Sequence, residues 1–129
     1  MYREIQARHR YDHLADENPG IAKLLGPLGD AGETTLFETW QHHLATVLRF
    51  PFDARVEDQL RRGPIRLGEV VRVMALEETN EVDDMYGIVV NVQTARGSYA
   101  LPLCDLSATD SSSKNYHPLR DYAVWFANR

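Results

Sequence analysis

The sequence holds a single cysteine, Cys104, so no internal disulfide can form and a small secreted scaffold held by bridges is excluded. Long apolar runs are missing as well: nothing approaches the roughly 20 residues that a membrane-spanning helix needs. From Met1 to Tyr11 charged side chains alternate with isolated apolar ones, without the continuous apolar stretch of a secretory signal. The expectation is a cytoplasmic protein with no membrane partner. Bases are in the minority, with 14 Lys and Arg against 19 Asp and Glu and a formal charge of −5. Affinity for a phosphate backbone comes from clustered cations that release counterions, so nucleic acid is not an expected partner. Catalytic signatures are lacking too. Ser111, Ser112 and Ser113 have no G-x-S-x-G setting, no glycine-rich phosphate loop is present, and Cys104 has no adjacent base or cation to activate it. No enzymatic machinery is visible, and the sequence reads as a binding protein.

What is present fits one globular domain over residues 1–129. A chain of 129 residues, 43% hydrophobic and 26% charged, has an ordinary composition and is long enough to bury a core unaided. Its negative charge is local. Glu77, Glu78, Glu81, Asp83 and Asp84 place five acids and no base in eight consecutive residues. The formal charge of the remaining residues is zero.

Residues 1–35 are read as a variable helical and loop extension. In it Asn18-Pro19-Gly20 ends a ragged helix, Ile21 to Leu25 add a turn or two, and Gly26-Pro27 stops them. The spacing predicts a helix over 36–49. Thr35 and Glu38 fit a capping box, and Phe37, Trp40, Leu44, Val47 and Leu48 form one apolar stripe. After Pro51 the period changes to two. Phe52, Ala54 and Val56 form one face, Val71, Val73 and Ala75 the next, then Ile88, Val90 and Val92, then Tyr99, Leu101 and Leu103. Thr94 to Gly97 reads as a tight hairpin connection, and Asp110 to Asn115 as a polar loop. The chain closes on the aromatic run Tyr122 to Phe126. The fold class expected is α+β: N-terminal helices, then a small antiparallel β-barrel or strongly twisted sheet of about five strands over 50–129.

The acidic cluster falls between two strands, so it belongs on a hairpin tip. Carboxylates there repel by around 1 kcal/mol per close pair in water, which a solvated loop tolerates. The same oxygens suit a hard cation. Calcium takes about six to eight oxygen ligands at roughly 2.3–2.6 Å, and Glu81, Asp83, Asp84 and the Asn80 amide offer several, with Gly87 beside them to let the backbone bend. No EF-hand spacing is present, so further ligands must come from elsewhere. Asp53 and Glu57, outward on the first strand, are the candidates. Among the histidines, His9 and His13 share a helix face but lack two further zinc ligands, and His42 and His43 point about 100° apart. They read as surface residues.

Five segments then carry a resemblance: Phe50-Pro51-Phe52-Asp53-Ala54, Gly68-Glu69-Val70-Val71, Asp84-Met85-Tyr86-Gly87-Ile88, Pro102-Leu103-Cys104-Asp105-Leu106 and Asp121-Tyr122-Ala123-Val124-Trp125-Phe126-Ala127-Asn128-Arg129. In this order, over about residues 36–129, they resemble the CcbP-type family of small bacterial calcium-binding proteins. The resemblance implies a non-EF-hand protein that binds calcium through acidic side chains and backbone carbonyls, as a buffer or sensor. Asp53 and Asp84 match acidic positions of the family pattern, whereas Phe52, Trp125 and Phe126 read as packing residues. The alternative is a protein-interaction module, in which the acidic surface selects a basic protein partner.

Overall fold

The computed structural model describes residues 19–58, 64–77 and 86–129. Helix α1 spans Pro19–Leu25 and runs into a 3-10 turn, Gly26–Leu28. Pro19 opens this helix; the ragged helix expected before it lies outside the described residues. Proline suits a first helical position because its missing N–H would have had no partner there. The expected breaker Gly26-Pro27 does stop α1. Helix α2, Glu33–Val47, begins earlier than 36, with Gly32 at its cap and no side-chain cap bond, so the Thr35–Glu38 capping box does not form. Leu36, Phe37, Trp40 and Leu44 make its buried stripe.

Five strands follow: β1 Phe52–Val56, β2 Val70–Leu76, β3 Val89–Thr94, β4 Gly97–Pro102 and β5 Leu106–Ala108. All pairings are antiparallel, in the order β4-β3-β2-β1-β5. The period-two reading holds on β1, where Phe52, Ala54 and Val56 are buried and Asp53 and Arg55 exposed. It holds on β3 as well, with Val90 and Val92 inward. On β2 the register shifts between Val73 and Ala75. This irregularity leaves Ala75 exposed instead of in line with Val71 and Val73.

The sheet is open, so the barrel reading is corrected to a curved sheet: β4 and β5 are its two edges and no ladder joins them. The curvature follows from chain length. Five flat strands would put the edges about 19 Å apart. The turn Leu103–Asp105 that connects them gives a reach of only about 14 Å.

The expectation of N-terminal helices alone is also corrected, because the closing aromatic run is helical. Helix α3 spans Tyr116–Asn128 and buries Leu119, Tyr122 and Trp125. It packs with α1, α2 and the sheet margin in one core. Phe37 meets Trp125 edge-on at 5.1 Å between ring centroids, and Trp40 meets Tyr122 at 5.5 Å. Buried Asn115 joins α2 to α3, accepting the Arg49 N–H at 2.8 Å and donating to the Arg49 carbonyl at 3.1 Å. At the C-terminal end Arg129 pairs with Glu33 and lies over Phe126. Among the described residues, no helix is long and apolar enough to cross a membrane.

Candidate functional site

Three short segments that carry or flank acidic residues are joined by backbone hydrogen bonds. The Glu57 N–H donates to the Asp105 carbonyl at 2.7 Å, and the Leu103 N–H donates to the Ile88 carbonyl at 2.8 Å. The end of β1, the 3-10 turn 103–105 and the start of β3 therefore share one margin of the curved sheet. Ile88 lies just past the acidic stretch 77–84, of which Glu78, Asn80, Glu81, Asp83 and Asp84 fall outside the described residues.

The unusual group on this margin is Asp105. It is only 7% exposed, whereas a carboxylate is rarely buried without a partner. Among the described residues its side-chain bond comes from a weak donor, the Cys104 thiol, at 3.6 Å. Burial pushes the Asp105 carboxyl above its usual range, the thiol contact opposes this, and the nearby Asp58 adds to the rise. Cys104 is affected in turn: burial, then Asp105, pushes its thiol up to about 12. That agrees with the reading of Cys104 as unactivated. Asp105 and Asp58 are thus two hard oxygen donors close enough for the charge of one to act on the other.

Of the two acids singled out from sequence on the first strand, Glu57 is joined to this margin through its backbone N–H, and Asp53 lies further back along the strand. Asp53 on β1 and Glu57 just past its end are both exposed, four residues or about 13 Å apart in extended chain. Asp53 pairs with Arg72 at 3.4 Å, and Glu57 accepts the Ser107 hydroxyl at 2.6 Å. Sequence reasoning passed over Asp58 and Asp105. Asp105 lay within a quoted segment, but alternation assigns no role to a carboxylate in a turn. Among the described residues, no group of three or more His, Cys, Asp or Glu side chains is close enough to hold a metal ion. Asp58 and Asp105 fit calcium by donor type, and the remaining ligands would have to come from other residues or water.

The comparisons bear on this arrangement of a curved sheet, capping helices and an acidic margin. A family model described as calcium binding, that of CcbP, matches residues 28–126. The chain belongs to the CcbP calcium-binding family. Its structure is similar to the crystal structure of Anabaena CcbP, with a TM-score of 0.58 and 22% identity over 76% of this chain and 80% of that one. At that identity the likeness shows the fold. No curated protein matches the chain.

Proposed function

We propose that the protein binds calcium reversibly at the acidic margin, as a buffer or sensor in the cytosol. The loop acids Glu81, Asp83 and Asp84 supply the main ligands, and Asp105 with Asp58 supplies the contribution from distant segments. One observation carries this reading: among the described residues, buried Asp105 takes its side-chain hydrogen bond from the Cys104 thiol, it feels the charge of Asp58, and it lies on the margin where the acidic stretch leads back into the sheet. A buried carboxylate without a strong partner is costly, and a divalent cation offsets that cost. Asp53 and Glu57 are less favoured as ligands, since each already has a partner on the outer face.

Thermal unfolding in chelator, magnesium and then millimolar calcium tests the function. A ligand at about 100 times its dissociation constant stabilises by roughly 2.7 kcal/mol, which for a domain of this size raises Tm by on the order of five to ten degrees. A rise with calcium but not magnesium is the expected result; no shift with either ion would count against the reading. Replacing Asp83 and Asp84 together by Asn should weaken binding at least about tenfold, and unchanged affinity would remove the loop from the site.

A further inference from the structure

The point where the acidic loop rejoins the sheet is held unusually firmly. Ile88 is buried, and both of its backbone polar groups are used. Its N–H donates to the Tyr122 hydroxyl at 2.9 Å and its carbonyl accepts from Leu103. One residue earlier, Gly87 has φ +64°, and its backbone lies against the same tyrosine. A Cβ there would collide with the Tyr122 oxygen and come within 2.5 Å of Phe126 Cε2. Both the conformation and the space require glycine. Tyr122 is fully buried on α3 and packs on Trp40 at 5.5 Å and on Trp125 and Phe126 at 6.0 Å. A phenol hydroxyl from the aromatic core thus fixes the backbone two residues beyond Tyr86.

Backbone that is already fixed where a ligand segment meets the sheet adds no ordering cost to ion binding. Resting on the proposed calcium reading, we propose that Tyr122 is a positioning residue for calcium. Without touching the ion, its hydroxyl holds the Ile88 N–H and keeps the loop's last turn in the geometry that ligation needs. In Tyr122→Phe the ring remains but that N–H loses its acceptor. The ion-free protein relieves this by letting 86–88 move towards water. The calcium-bound form must restore the geometry and leave the N–H unpaired, so the cost appears in binding.

The test is calorimetric calcium titration of the full chain at a temperature where every variant is folded, comparing wild type, Tyr122→Phe, Phe37→Leu and the Asp83→Asn/Asp84→Asn pair. Phe37 packs on Trp125 and Phe126 but makes no contact with Ile88 in the hydrogen-bond pattern, so it controls for general loosening of the core. The expected result is about a fivefold to tenfold weaker Kd for Tyr122→Phe, with Phe37→Leu lowering Tm at least as much yet leaving Kd within twofold. Equal Kd for Tyr122→Phe and wild type, or equal weakening by Phe37→Leu, overturns the positioning role. If instead the loop pair leaves Kd unchanged, the acidic-loop reading fails first and this inference fails with it.

Discussion

The seam between α2 and α3 and the acid-bearing margin of the sheet lie on either side of Tyr122, and they bury their side chains on opposite terms. In the seam, Phe37, Trp40, Tyr122 and Trp125 pack ring to ring and are at most 2% exposed. Almost everything there is favourable on burial; the exceptions are the indole N–H groups of Trp40 and Trp125, which have no partner among the described residues. At the margin, Asp105 is buried nearly as deeply but gains little from it, having a thiol for a donor and Asp58 for a neighbour. On the proposed calcium reading, the difference separates scaffold from site. A fold keeps an unfavourable carboxylate where something else compensates, and perturbed ionisation in a structured niche marks functional positions more often than structural ones.

The largest effect belongs to the scaffold side. Trp125→Ala removes the ring shared by Phe37, Trp40 and Tyr122 and should cost about 3–5 kcal/mol in urea unfolding. A loss under 1 kcal/mol would mean that the seam is not the core. At the margin the sign reverses. Asp105→Asn should leave the ion-free protein as stable as wild type at pH 7, or more stable by about 1 kcal/mol, because it removes a buried charge. The linkage agrees: the folded-state pKa is raised, so the carboxyl lowers stability above that pKa and the penalty disappears as pH falls below the unfolded value. A clear loss of stability in Asp105→Asn would instead make the carboxylate a structural partner.

The smallest effect tests the helical layer by pH. His43 is held below the usual imidazole range chiefly by burial, with Asp121 opposing and His42 adding to the fall. Its neutral form is favoured in the fold. Stability from this group is therefore complete above the unfolded value; it starts to fall there, where the unfolded chain takes up the proton first, and is lost once pH has passed through the lower folded-state value. His43→Gln should make the decline between pH 7 and 5 shallower, by well under the one-proton limit of about 1.4 kcal/mol per pH unit, because solvent screens this partly exposed group. An unchanged acid limb would show that His43 does not contribute to it.

Sequence legibility followed the same division. Alternation located β1 and β3 because one face of each is core, and the apolar stripe of α2 was visible for the same reason. The strand-like composition of Tyr122 to Phe126 obscured a helix, although Leu119, Tyr122 and Trp125 recur every third residue, a spacing that belongs to a helical face. β5 has only three residues, too few to show a period. The loop acids stood out as a charge cluster, but Asp105 could not be recognised in the same way. Its significance lies in how deeply the 103–105 turn is buried between β4 and β5, and that depends on residues far away in the chain.

The central claim is that Asp105 contributes to calcium binding, and the calcium Kd of Asp105→Asn against wild type, measured by calorimetry in a magnesium background with Asp53→Asn alongside, tests it most directly. The account predicts binding at least about tenfold weaker for Asp105→Asn, as expected for loss of a charged ligand to a hard cation, and within twofold of wild type for Asp53→Asn. Unchanged affinity in Asp105→Asn, with the loss appearing in Asp53→Asn, would contradict it and move the site to the outer face of β1.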